Sequence, residues 1–341
     1  MRALIYKGVQ KVELQEIPMP VCGPDDVIVR NVRAGICGTD VSAYLLGGLY
    51  GGIFPESELG HEFGHEMVGF IHETGGNVAA LEKGMRVFVN PLTRIPDPSQ
   101  ACMANAFSEY VLVQKAQIDH NIYILPDSLS FDDAVLIEPF SVGTHGKNTA
   151  QTKPEDKVII YGAGTIGLCA LSALIAQGNT KIVVVDIDDK RLETVKVLGG
   201  IGFNPKSGEL YPFLKEHLGE ITNIYRTPVI DVDVVIDCAG VPSIPVDFLN
   251  YSKPGAKLSC VGMHKKELML DFSIIMSKQN IILGSRGYTR EDIREVIHNL
   301  AGKKSSVYKI ITHIFRMEEG TEAFLTASDP SQAIKVILDL E

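Results

Sequence analysis

No stretch of this sequence approaches the ~18 consecutive apolar residues that a membrane-spanning helix needs, so no such span is expected. Positive charge is also scarce. The chain carries 32 Lys and Arg against 42 Asp and Glu, a net charge of −10, which argues against a phosphate backbone as partner and hence against nucleic acid. The six cysteines (Cys22, Cys37, Cys102, Cys169, Cys238 and Cys260) have no framework spacing, and Cys169 and Cys260 sit in apolar runs. That excludes a disulfide scaffold and fits reduced thiols in the cytoplasm. The first residues bring charge and then Gly8 too early for a secretory leader. Internal repeats and low-complexity runs are missing as well. What remains is an ordinary globular composition, 45% hydrophobic over 341 residues, enough for about two domains with cores of their own.

The pattern changes character along the chain. Residues 1 to 90 read as short strands (2–6, 26–32, 67–72, 86–90) between Gly, Pro and Asp clusters, a barrel-like β unit. A Pro-rich loop at 93–100 precedes another strand at 107–113, and residues 131–146 turn helical behind Asp132 and Asp133. From Lys157 strands and helices alternate, which implies a parallel sheet: strand 158–161, helix 165–177, strand 181–186, helix 189–198 and strand 232–237, with segments 246–251, 257–261 and 281–284 completing the series. The last fifty residues return to mixed structure, with helices at 290–301 and 318–325 and strands at 310–315 and 334–340.

Gly162-Ala163-Gly164-Thr165-Ile166-Gly167 is a G-x-G-x-x-G that follows an apolar strand and opens an apolar helix. In that setting the glycines allow a tight turn, close approach of backbone to a pyrophosphate, and helix-on-strand packing, while the helix N-terminus favours phosphate. Asp186 ends the second strand, placed for ribose hydroxyls and repelling a 2′-phosphate, so NAD is expected over NADP. Arg191 is a candidate for the adenine edge. Two later strand ends leave through glycine, at Val235-Ile236-Asp237-Cys238-Ala239-Gly240 and at Ser259-Cys260-Val261-Gly262. Val261 and Gly262 are therefore candidates to line the cofactor crevice.

A hydride-accepting cofactor does not deprotonate an alcohol, whereas zinc can, using three ligands of the Cys, His and Glu types and one open position. Cys37-Gly38-Thr39-Asp40 and Gly60-His61-Glu62 supply such residues, and Glu138 supplies another carboxylate. His61, Glu62 and His65 also spell H-E-x-x-H, which on a continuous helix would make a zinc protease. Gly60, Gly64 and Gly69 break that helix, each costing about 1 kcal/mol against Ala, and the following Met67-Val68-Gly69-Phe70-Ile71 reads as strand.

With C-G-T-D at residues 37–40, G-H-E at 60–62, I-E-P-F-S-V-G at 137–143, the glycine turn, Asp186 and the tail pieces 310–315 and 333–336, the chain resembles the zinc-dependent medium-chain alcohol dehydrogenase family over nearly its whole length. The nearest branch is that of sorbitol and threonine dehydrogenases. The resemblance implies an α/β fold: a GroES-like β-rich catalytic domain from residues 1–142 and 285–341 around a doubly wound Rossmann domain at 143–284. It implies Cys37 and His61 as zinc ligands. Glu62 and Glu138 then provide the carboxylate side, one directly and one through water, with the order open. Thr39 would pass the alcohol proton to the nicotinamide ribose, and Asp40 would orient the site. A small polar alcohol or ketone substrate and a homo-oligomer, dimer or tetramer, are expected with it.

The chain departs from the family pattern at four points. The four-cysteine lobe that holds a structural zinc is absent, since only Cys102 lies between Lys83 and Phe107, so one catalytic zinc is expected. Ser42 stands where many relatives carry a relay histidine. His65 occupies a position read as glycine in the pattern and is taken as an unassigned histidine beside the site or on the surface. The run Gly284-Ser285-Arg286-Gly287-Tyr288 differs from the sorbitol branch, which leaves Arg286 without a role. The leading expectation is a zinc-dependent, NAD-linked dehydrogenase for a secondary hydroxyl of a polyol or sugar alcohol. Its rivals are a catalytically inactive nucleotide-binding protein of the same fold, a zinc-free quinone reductase, which would lack the Cys and His pair, and the protease.

Overall fold

The computed structural model describes residues 1–47, 62–93, 105–223 and 226–341. Two compact units emerge, Met1–Glu138 with Ile311–Glu341, and Pro139–Ile310. Residues 285–310 thus pack with the second unit, whereas the sequence places them with the first. Ile293, Val296, Val307 and Ile310 are buried there, and a polar clasp adds to this: Asp292 and Glu295 of helix Arg290–Ala301 meet His145, Lys147 and Asn148 of helix Ile137–Thr149.

The first unit is built on a seven-stranded sheet. Its path runs Ile311–Arg316, Lys335–Asp339, Val27–Ile36, Glu66–Thr74, Arg86–Val89 and Ile122–Ile124, and Tyr110–Val113 also pairs with Val27–Ile36. All pairings are antiparallel except the first. A hairpin of Arg2–Gly8 and Lys11–Glu16 accompanies it. Strand Val27–Ile36 is buried along nearly all its length, as a strand paired on both edges inside a barrel should be. Aromatic rings fill the core: Phe63 stands edge-on to Phe107 at 4.8 Å and lies 5.4 Å from Phe324. One element the sequence reading missed matters for the site. Residues Gly38–Leu46 form a helix whose N-cap is Cys37, closed by the Asp40 carboxylate accepting from Cys37 N–H at 2.9 Å. The C-G-T-D motif is thus also a capping box, with Asp40 at the third helical position reaching back to the cap.

The second unit holds a six-stranded parallel sheet in the order Ile201–Phe203, Ile182–Val185, Val158–Tyr161, Val234–Asp237, Lys257–Cys260 and Ile281–Gly284. Numbered along the unit this is 3-2-1-4-5-6, the doubly wound dinucleotide-binding order. The three central strands, Ile182–Val185, Val158–Tyr161 and Val234–Asp237, are wholly buried, because helices cover both faces of such a sheet. Helices Thr165–Gln177, Asp189–Leu198 and Arg290–Ala301 fall where hydrophobic periodicity places them.

Candidate active site

Pairing of Gly35 with Glu66, and of Ile36 with Val336, draws three distant parts of the first unit together. Cys37 follows the first strand, His65 and Glu66 open the second, and Lys335 begins the third. The ligand atoms of Cys37, His65 and Glu66 all lie within 4.8 Å of one another. Glu66 and Asp40 are fully buried and His65 is 13% exposed. His65 Nδ1 is 3.4 Å from Asp40 Oδ1, and its Nε2 is 3.5 Å from Thr39 Oγ1. Lys335 Nζ donates to the Ile36 carbonyl at 2.9 Å and is ion-paired with Glu66 Oε2. Gly35 leaves room for this pair: a Cβ there would stand 1.9 Å from Glu66 Oε2 and push the carboxylate aside.

Burial disfavours an ionised His65, yet Asp40 and Cys37 beside it outweigh this and hold its pKa well above the ordinary value. Burial likewise opposes the charge on Lys335, but Glu66 and then Cys37 raise its pKa. Glu138 is buried and pushed up to about 7, first by desolvation and further by Glu66 and Asp40, against the lowering pull of His65 and Lys335. Glu66 Oε1 is buried with no hydrogen-bond partner among the described residues. A thiol, an imidazole and a carboxylate brought together, with a carboxylate oxygen left over, suit a zinc ion.

Among the residues picked from sequence, Cys37, Thr39 and Glu138 thus lie in or about one cluster. Glu62 does not belong to it: its carboxylate accepts from Asn105 Nδ2 at 3.2 Å and Ser108 Oγ at 3.0 Å. His61 lies outside the described residues, as do Cys102 and residues 94–100 of the Pro-rich loop. The cluster instead holds His65 and Glu66, neither of which the sequence assigns to the metal. Two G-H-E triplets occur four residues apart, and the clue was that the second leads directly into the strand. The helix an H-E-x-x-H protease requires is not formed, since residues 63–65 are irregular and Glu66–Thr74 is strand. Ser42 lies on the helix that Cys37 caps, and Arg286 is exposed on the second unit.

In the second unit the glycine turn has the close packing a dinucleotide fold needs. A Cβ on Gly167 would stand 1.8 Å from the Gly162 carbonyl oxygen, and Gly164 is the N-cap of helix Thr165–Gln177, on which Thr165 and Ile166 form the first turn. Asp186 accepts from Ala163 N–H at 2.5 Å and Asp188 N–H at 2.9 Å, so its carboxylate braces the turn. Arg191 Nη1 would be 3.6 Å from a Cβ on Gly164, which puts the guanidinium beside the phosphate loop. Val261 and Gly262 donate their N–H groups to the Asp237 carbonyl at 2.9 and 2.7 Å. Backbone and carboxylate chemistry here suit NAD.

Comparison with known proteins agrees with both units. Residues 23–123 match the alcohol dehydrogenase GroES-like domain, and residues 165–302 match the zinc-binding dehydrogenase domain. L-idonate 5-dehydrogenase of Vitis vinifera is 30% identical over 352 aligned positions, covering 98% of this chain and 93% of the relative. D-xylulose reductase of Saccharomyces cerevisiae is 28% identical, with 99% and 97% covered. A protein of Escherichia coli CFT073 described as a short chain alcohol dehydrogenase, solved in complex with NADH, superposes with a TM-score of 0.85 at 25% identity over 100% of this chain and 99% of that one. The chain therefore belongs to the zinc-dependent medium-chain alcohol dehydrogenase family, in its sorbitol dehydrogenase-like branch.

Proposed function

We propose that the protein is a zinc-dependent, NAD-linked dehydrogenase that oxidises a secondary hydroxyl of a polyol or sugar alcohol to the ketone. The single observation that carries this reading is the cluster of half-buried Cys37 and His65 with buried Glu66, whose Oε1 has no hydrogen-bond partner among the described residues. Cys37, His65 and Glu66 would hold one zinc ion, with Glu138 as the further carboxylate of the site. When bound, the ion would lower the pKa of an alcohol oxygen. Thr39 Oγ1 accepts and passes on the alcohol proton, and Asp40 orients His65 and caps the helix that carries Thr39. Lys335 holds Glu66 in register. The polar residues around the cluster favour a polyhydroxylated substrate, because an apolar chain would leave them unpaired at about 1–3 kcal/mol each. The names of the idonate dehydrogenase and xylulose reductase relatives support the same substrate class.

One zinc per chain is proposed because no four-cysteine set occurs in the sequence. NAD rather than NADP is proposed from Asp186 followed by Ile187, Asp188 and Asp189. Val261 and Gly262 would receive the cofactor's far half. A homo-oligomer is supported by large apolar side chains left in solvent near the free edge strand Ile281–Gly284, chiefly Met269, Phe272 and Met276. A cytoplasmic location is supported by free cysteines at every described cysteine position; no helix of the described residues is long and apolar enough to cross a membrane.

The deciding experiment is a panel of polyols, sugar acids and aliphatic alcohols assayed with NAD. Polyols or their acids should give the highest kcat/KM. Faster turnover of primary aliphatic alcohols would overturn the polyol reading and leave the zinc and NAD chemistry standing. No turnover by zinc-loaded protein, with no NADH binding, would favour an inactive relative.

A further inference from the structure

Strand Val234–Asp237 ends on a carboxylate that is fully buried. Asp237 Oδ1 accepts from the N–H groups of Ala239 and Gly240 at 2.9 and 2.8 Å, and its Oδ2 lies 2.7 Å from His264 Nε2. Together with the carbonyl that accepts from Val261 and Gly262, Asp237 ties the turn after its own strand to the turn after the neighbouring strand Lys257–Cys260. The two turns pack without slack: a Cβ on Gly262 would stand 2.5 Å from Gly240 N. They leave the sheet at the carboxyl ends of the fourth and fifth strands, on the far side of the switch point from the glycine turn. In a doubly wound sheet that side belongs to the second mononucleotide half.

The latch decides which nitrogen of His264 carries the proton. An ionised carboxylate only accepts, so Nε2 donates to Asp237; in the neutral ring Nδ1 is then an acceptor. Nδ1 is buried and has no hydrogen-bond partner among the described residues. The side chain as a whole is 20% exposed, so the ring borders solvent while Nδ1 itself faces inward. A purely structural latch uses Nε2 alone and gives no account of the buried acceptor on the opposite side of the ring.

We propose that His264 is a cofactor-binding residue, its Nδ1 accepting a hydrogen bond from a proton-bearing group on the nicotinamide half of NAD. A phosphate offers no proton, which leaves a ribose hydroxyl or the carboxamide N–H. The inference rests on the dinucleotide reading of this unit.

The test compares wild type, His264→Ala, His264→Phe and His264→Gln, with NADH followed by fluorescence titration and ADP and ADP-ribose by calorimetry. The alanine and phenylalanine variants should bind NADH about tenfold more weakly, the loss of one buried hydrogen bond, and bind ADP within twofold of wild type. Glutamine should restore much of the affinity, since its amide can donate to Asp237 and still offer an oxygen. ADP-ribose keeps the ribose hydroxyls and lacks the carboxamide. Weakened ADP-ribose binding assigns the contact to a hydroxyl; unchanged binding assigns it to the carboxamide. Unchanged NADH affinity in the phenylalanine variant, or equal losses of NADH and ADP, would overturn the proposal, the second showing a collapsed turn. Failure of the wild type to bind ADP at all would instead sink the dinucleotide reading.

Discussion

The ammonium of Lys335 and the carboxylate of Glu66 are ion-paired inside the first unit, with side chains 1% and 0% exposed. Neither charge has solvent to fall back on. Removing one partner strands the other, which typically costs about 3–5 kcal/mol. Lys335→Met should therefore lower the thermal midpoint of the metal-free protein sharply. It should also weaken zinc about 10- to 100-fold, as loss of a group that orients a metal ligand does. Competition with a chromophoric chelator reads the second effect; affinity equal to wild type would remove Lys335 from the site.

The two G-H-E triplets make opposite predictions for zinc. His65→Asn and Glu66→Gln should purify with well under one zinc per chain and little activity. His61→Asn and Glu62→Gln should retain the metal, because Glu62 is held by Asn105 and Ser108. Elemental analysis of the four variants decides the matter, and zinc loss confined to the His61 and Glu62 pair would reverse the assignment. Wild type holding two tightly bound zinc ions would sink the one-zinc proposal.

NAD should be preferred over NADP by roughly a hundredfold, about 2.7 kcal/mol. Asp186 is committed to the glycine turn through Ala163 and Asp188, so a 2′-phosphate would meet a fixed negative charge. Asp186→Ser should narrow the preference mainly by weakening NAD. Equal kcat/KM for the two cofactors in the unmutated protein would contradict this.

Acid should loosen the second unit through Asp292. Burial raises this carboxyl's pKa, but hydrogen bonds from His145, Asn148 and Thr289 outweigh it and set the pKa at about 2, below the ordinary aspartate range. A depressed folded pKa contributes stability that is present above the unfolded value and lost as pH falls through the folded one, here on the order of 2 kcal/mol. Urea midpoints of wild type and Asp292→Asn should differ at pH 6 and converge as pH drops from about 5 toward 2. A gap that stays constant over that range would show that the clasp on helix Ile137–Thr149 is not electrostatic.

Much of this was legible in the linear sequence, and the reason is locality. The alternation from Lys157 onward, the glycine turn between strand Val158–Tyr161 and helix Thr165–Gln177, and Asp186 one strand later are patterns written over a few tens of residues. Backbone geometry alone turns them into a parallel sheet with a phosphate-ready helix end. Cys37, Thr39 and Glu138 were recognisable because their motifs are unique in the chain.

Tertiary structure decided what locality leaves degenerate. Gly60-His61-Glu62 and Gly64-His65-Glu66 are the same triplet, and no composition or period separates them. The antiparallel register that sets Gly35 against Glu66, and Ile36 against Val336, does so. It brings a strand start, a helix cap and a lysine some 270 residues downstream to one buried point. The same holds for Asp237 and His264, which are 27 residues apart and meet only because adjacent parallel strands end side by side. Sequence by itself determined the two folds and the kinds of ligand. That His65 and Glu66 stand beside Cys37 follows from strand pairing, because a hydrogen-bonded ladder fixes neighbours that the chain order does not name.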